Sequence, residues 1–258
     1  MDPRSPGCCW PSPGPAKASN NGLSFLAVIA VLWVIRPITT ERSEPGRQGV
    51  LAGFASAIGY IRVRAGIRIS LVCAVLVAFF GNPITQFTVV FTDEVYGAGP
   101  RVLGLLASAV GIGAVLVAPL LSSWDAVLAR SQVVRWGLPV YGLAVIGFGL
   151  APNWPLGLLA LLVVGAGFLA VIATTNTAVQ LIVADEMRGR VMSARVMSFT
   201  LAFPLGSLAQ GALADLWGPQ VTVTASGLLL LAFAAYLAAR PALLAGLDSL
   251  DDRPDPGR

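Results

Sequence analysis

Histidine is absent from all 258 residues, which removes histidine-ligated metals, imidazole proton relays and histidine-activated nucleophiles. Cysteine is almost as scarce. Cys8 and Cys9 are adjacent and Cys73 lies inside an apolar run, a spacing that builds neither a disulfide framework nor a zinc site. Charge is thin, at 12% of residues, and the arginines are scattered between apolar runs rather than gathered on one face. The net charge of +4 and pI of 9.3 therefore do not mark a nucleic-acid surface. Carboxylates are missing from the middle of every apolar run: Asp93, Glu94, Asp125, Asp185, Glu186 and Asp215 stand at run ends or between runs. Paired intramembrane acids for metal-dependent lipid chemistry are thereby excluded, and the chain is not read as an enzyme.

Long apolar runs are abundant. With 56% hydrophobic residues and a mean hydropathy of +0.77, the chain exceeds a soluble domain of its size. A hydrocarbon core of ~30 Å takes about 20 helical residues. Six blocks meet that length: Ile69–Phe91, Val102–Leu121, Val133–Leu150, Leu156–Ile182, Val196–Leu213 and Val221–Ala239. A seventh, Gly22–Ile35, is shorter. Lipid-facing strands would alternate apolar and polar residues, whereas these blocks are continuously apolar. The expected fold is all-α, a polytopic transmembrane bundle of six to seven spans.

Arginine sets the orientation. Assigning the connections to alternate sides puts fourteen of the seventeen basic residues on one side, and that side is expected to be cytoplasmic. Trp33, Trp124, Trp136, Trp154 and Trp217 all fall at or beside block ends, the headgroup level that tryptophan prefers. If Gly22–Ile35 were a signal peptide, the arginine-rich segment after it would be exported against that rule, so it reads as a foreshortened span. The expected organisation is a Pro-rich disordered tail over 1–20, a partial span over 21–36, and a cytoplasmic linker over 37–68. A six-helix bundle over 69–240 and a disordered cytoplasmic tail over 241–258 complete it. Within the linker, Leu51, Phe54, Ile58 and Ile61 recur at helical spacing, which predicts a short helix on the inner membrane face. The protein is expected in the inner (plasma) membrane with its C-terminus cytoplasmic.

The order NGLSFLAVIA, GYIRVRAGIRIS, FFGNP, VADEMRGRVMS and PLGSLAQGALADLWG resembles the C-terminal part of the major facilitator superfamily, in the branch related to enterobactin and macrolide exporters. The likeness runs over roughly residues 20 to 240. Such proteins have two six-helix halves around a central cavity. The resemblance implies that Gly22–Ile35 is the inner part of helix 6, that the six longer blocks are helices 7 to 12, and that helices 1 to 5 are missing. A proton-coupling acid would then belong to the other half. Between helices 8 and 9 the family carries a glycine-containing Asp-Arg motif. This chain reads SSWDAVLARSQVVRWG, keeping Asp125, Arg130 and Arg135 without the glycine turn or the tight spacing.

Polar side chains inside spans are costly and point to function. Asn82 and Gln86 lie four apart on one face of the first long block, beside the kink-permitting Pro83; Asn176 and Gln180 lie four apart in the fourth, flanked by Thr177. The resemblance maps these blocks onto cavity-lining helices 7 and 10, so these five residues are expected to line a substrate path. Interhelical hydrogen bonding alone is the competing reading. In VADEMRGRVMS, Gly189 is expected to turn the chain between two helices, with Arg188 and Arg190 at the cytoplasmic surface. Asp185 and Glu186 are placed at a helix C-terminus, where they need arginine partners. These charges serve either as a gate or as a solvated turn that fixes topology. The expected function is efflux of small amphipathic compounds such as drugs or siderophores, coupled to protons, with no cofactor. Its partners are the lipid bilayer, a small-molecule substrate, and a second copy or a separate N-terminal half. A truncated, non-transporting membrane subunit is the alternative.

Overall fold

The structure, a computed structural model, describes residues 50–124 and 128–248, and no strand occurs among them. Helix α1, Val50–Val63, leads into a rod spanning Ala65–Val95. That rod comprises α2, Ala65–Leu76, a π-helical turn Val77–Gly81, α3, Ile84–Val90, and a second π-helical turn Phe91–Val95. Then come α4, Pro100–Trp124, α5, Arg130–Gly149, α6, Trp154–Ile182, α7, Asp185–Trp217, α8, Pro219–Ala239, and the short α9, Pro241–Ala245. The rod, α4, α6, α7 and α8 are each long and apolar enough to cross a membrane. Helix α5 has 20 residues, about 30 Å, but with Arg130, Gln132 and Arg135 in its first two turns it has no membrane-length stretch as apolar as those of the other five. It packs between α6 and α8 and belongs to the bundle by its neighbours.

Local chemistry sets the helix ends. Asn153 caps α6 by accepting the Leu156 N–H at 3.2 Å, with Pro155 in the first turn. A single residue, Gly218 at φ +86°, separates α7 from α8; Pro219 then opens α8. The first π turn has its own cause. Pro83 has no N–H to offer the Phe79 carbonyl one turn back, and the Asn82 N–H reaches five residues to Val77 O at 2.9 Å.

Helix α6 sits centrally, against α2, α4 and α5. Its approach to α4 depends on two reciprocal glycines: a Cβ at Gly113 would overlap the Leu162 carbonyl, and one at Gly165 would overlap that of Val110. Tyr141 of α5 is fully buried, its ring facing Gly81 and its backbone side Gly167. Phe91 and Phe148 stack with centroids 4.5 Å apart. By contrast α4 and α7 leave large apolar residues bare, among them Val115, Leu116, Leu205 and Leu208. In water such faces would not persist; they are surfaces for lipid or another apolar partner.

Several boundaries differ from the sequence expectation. The rod begins at Ala65, so Arg68 is helical, with its Nη1 donating to Arg62 O at 3.2 Å. On α1, Ile61 and Ala57 are buried while Ile58 is 39% exposed. Residues 241–248 are not a loose tail. Leu244 and Leu247 are buried, Gly246 abuts Gly66, and Asp248 Oδ1 accepts the Ser131 N–H at 3.1 Å, capping α5. The Pro-rich tail 1–20, the partial span 21–36, Leu51 and Phe54 side chains, Asp125 and residues 249–258 lie outside the described residues.

Candidate functional site

The turn between α6 and α7 is only two residues long. Val183 and Ala184 are extended, at ψ 131° and 146°, and α7 begins at Asp185. This corrects the sequence reading of VADEMRGRVMS. Asp185 and Glu186 are not at a helix C-terminus but in the first turn of α7, where the macrodipole favours acids. Gly189 and Arg190 are helical, Gly189 does not have positive φ, and nothing lies within 4 Å of where its Cβ would be. Asp185 and Arg188 form an exposed ion pair at 2.6 Å within that turn. Glu186 is exposed, and Arg190 Nη1 reaches Ser56 Oγ of α1 at 3.5 Å. A second tie to α1 holds the turn itself, because the Ala184 N–H donates to Tyr60 Oη at 3.2 Å. Arg64 lies 4.0 Å over that same tyrosine ring.

Ten residues into α7 stands Arg195, one residue before the apolar block that begins at Val196. It is 5% exposed. Its Nη1 donates to Ser70 O of α2 at 3.1 Å; its Nη2 donates to Thr175 Oγ1 and Ile172 O of α6 at 3.1 and 3.4 Å. The Thr175 hydroxyl passes its own hydrogen to Val171 O at 2.7 Å. One guanidinium thus ties three helices together. Recognising Asp185 and Glu186 as a helix start would have exposed it, since Arg195 then falls well inside a helix rather than at its mouth.

Arg195 fixes the depth of the polar pairs. Its hydrogen bonds set Ser70 level with Ile172 and Thr175. Counting from there along antiparallel helices, Asn82 and Asn176 are about 20 Å apart along the bundle axis at ~1.5 Å per residue. The sequence-derived candidates are therefore two stations. At one, Asn82 is half-buried where the π turn meets Pro83, its carbonyl accepting from Thr85 Oγ1 at 3.0 Å, and Gln86 is exposed one turn on. At the other, Asn176 is half-buried and shares a cleft of about 180 Å³ with Ile172, Arg195, Val196 and Phe199. Thr177 faces a different cleft, of about 290 Å³, toward Leu121 and Ser122 of α4, while Gln180 is exposed. A third cleft of about 350 Å³, walled by Val117, Leu128, Trp136 and Val140, is almost wholly apolar.

Gln210 is a further residue that the sequence reading passed over. It is buried on α7, and its Nε2 donates to Phe79 O at 2.6 Å and to Phe80 O at 3.4 Å. The carbonyl that Pro83 leaves without an intrahelical donor is so satisfied from a neighbouring helix. Gly206, one turn earlier, permits the approach, since a Cβ there would overlap the Phe79 carbonyl.

The arrangement gives a helical membrane bundle with polar groups at two depths and bare apolar faces on α4 and α7. A bacterial homolog to the human lysosomal transporter Spinster, crystallised inward-facing and unoccupied, shares this fold, with a TM-score of 0.54 at 17% identity over 91% of this chain and 59% of that one. An uncharacterized MFS-type transporter of Bacillus subtilis (strain 168), YfmI, is 22% identical over 224 residues, 83% of this chain and 53% of that protein. The chain spans about half the length of this curated relative. A family model for the transmembrane secretion effectors of the major facilitator superfamily matches residues 10–255. The chain is thus a polytopic membrane protein that belongs to the major facilitator superfamily, within the transmembrane secretion effector family.

Proposed function

We propose that this chain acts as the C-terminal half of a secondary transporter that exports small amphipathic compounds, such as drugs or siderophores, by alternating access coupled to the proton gradient. The family match over residues 10–255 carries the reading. The geometry supports it: the two polar stations, Asn82 with Gln86 and Asn176 with Gln180, sit on the rod and on α6 at different depths, as a path rather than a single trap requires. Rocking needs a second bundle, and the bare faces of α4 and α7 are where a second copy or a separate N-terminal half would pack. The protein sits in the plasma membrane with the α6–α7 turn and the C-terminus in the cytoplasm. The charges at the start of α7 and their ties to α1 act as the inner gate. With no carboxylate midway along the described helices, the proton-carrying acid belongs to the partner bundle.

The test is accumulation of fluorescent amphipathic dyes in an efflux-deficient strain expressing the chain alone and with a complementary N-terminal half. Export that falls about tenfold in Asn82→Ala and Asn176→Ala, at unchanged membrane abundance, is the expected result. Folded protein that exports nothing in either setting replaces this reading with that of a non-transporting membrane subunit.

A further inference from the structure

Arg195 does more than a structural tie requires. All three of its acceptors, Ser70 O, Ile172 O and Thr175 Oγ1, are neutral. Among the described residues no carboxylate pairs with it; the ion pair that is present, Asp185 with Arg188, is a surface one. Three hydrogen bonds use three of the five guanidinium hydrogens, and the others have no acceptor among the described residues. A cation removed from water without a counter-charge is expensive, and within a membrane bundle such residues mark ligand or ion sites. Arg195 lines the cleft that Asn176 also lines, a cleft whose surface is mostly apolar. Ile172, Val196 and Phe199 supply its apolar wall, and Val196, 60% exposed, is its open lip.

We propose that this cleft binds the anionic group, a carboxylate or a phosphate, of an amphipathic molecule. Arg195 supplies the counter-charge and the Asn176 amide a further hydrogen bond. The adjoining carbons lie against Ile172 and Phe199. Water would satisfy the hydrogen bonds but not the charge, and a bare inorganic anion would leave the apolar wall unused. At about 180 Å³ the cleft is smaller than the ~300 to 1,000 Å³ of a site that encloses a drug-sized molecule. It therefore takes the head of the ligand, and the rest extends past Val196 onto the bare face of α7. A free solute and a phospholipid headgroup both offer this chemistry. In treating the solute as cargo the inference rests on the export reading; the binding itself does not.

Tail-matched probes test it: decanoate and decyltrimethylammonium, titrated calorimetrically against the full chain in phosphatidylcholine nanodiscs, with empty nanodiscs subtracted. Decanoate is expected to bind about tenfold or more tightly than the cation, a preference that Arg195→Gln abolishes and Arg195→Lys partly keeps. Because Arg195→Gln also cuts ties to α2 and α6, Asn176→Leu is the companion variant. It leaves those bonds in place and is expected to weaken decanoate about three- to tenfold with an unchanged melting temperature. Equal affinity for the two probes, or decanoate binding unaltered in Asn176→Leu and Arg195→Gln alike, overturns the proposal. Repeating the titration in phosphatidylglycerol nanodiscs separates the sources: competition assigns the cleft to a lipid headgroup, and undiminished binding assigns it to a free organic anion. Dye export that is absent while decanoate binding persists would remove the transport reading and leave this site standing.

Discussion

Pro83 takes one amide hydrogen out of the rod, and Gln210 supplies another from α7. In hydrocarbon no water can fill that role, so the Phe79 carbonyl depends on this side chain. Gln210→Leu, close in volume and without a donor, is expected to lower stability by about 1 to 3 kcal/mol, read as a shifted unfolding midpoint in detergent. In a Pro83→Ala background, where residue 83 regains its N–H, the same substitution should cost clearly less; an equal cost would show that the two residues are not coupled. Gln210 is not recognisable as a site from the sequence, and Arg195 is so only once Asp185 and Glu186 are taken as a helix start. Neither belongs to a polar pair four apart within an apolar run; Gln210 meets backbone carbonyls of the rod, and Arg195 two carbonyls and the Thr175 hydroxyl on other helices. A carbonyl leaves no trace in residue identity. Asn176 and Thr177 were legible as polar residues inside a span, yet one faces Arg195 and the other α4, a division that only the packing decides.

At the scale of helices, continuous apolarity was enough to give the class, because a span must satisfy its own backbone. Boundaries were harder. The α6–α7 junction was misplaced because Gly189 resembled a turn residue, whereas the break comes at Val183 and Ala184, residues with no turn signature. The acids that follow it were the missed signal of a helix start. The glycines of α4 and α6 are not equivalent. Gly113→Ala or Gly165→Ala must push α4 from α6 and is expected to cost about 1 to 3 kcal/mol in detergent unfolding. Gly111→Ala, with nothing within 4 Å, should be neutral or stabilise by about 0.5 to 1 kcal/mol. If all three behave alike, close approach is not what those two glycines provide. The cap on α5 makes a separate claim: Asp248→Ala should destabilise by about 0.5 to 2 kcal/mol and Asp248→Asn by less, since an acceptor remains. A tail of mixed composition after Arg240 had given no hint of this contact.

For the whole molecule the prediction concerns sidedness. With Cys8, Cys9 and Cys73 replaced, Gly189→Cys should react with a membrane-impermeant maleimide in inside-out vesicles and not in intact cells, if the proposed topology, argued from the arginine distribution, holds. Labelling from the outer side alone would invert the topology. The Asp248 cap also bears on how the bundle is made. Its donor, Ser131, precedes it by 117 residues, and α5 carries Arg130, Gln132 and Arg135 in its first two turns. As the ribosome feeds the chain into the translocon, α5 emerges without its cap and without α6 and α8, the neighbours that surround it. Its lodging in the bilayer is completed only when the last helix has been threaded and residue 248 released. A nascent chain stalled after α5 would therefore be open to quality-control proteolysis, and one stalled after α8 would lack only the Asp248 cap and the packing of Leu244 and Leu247.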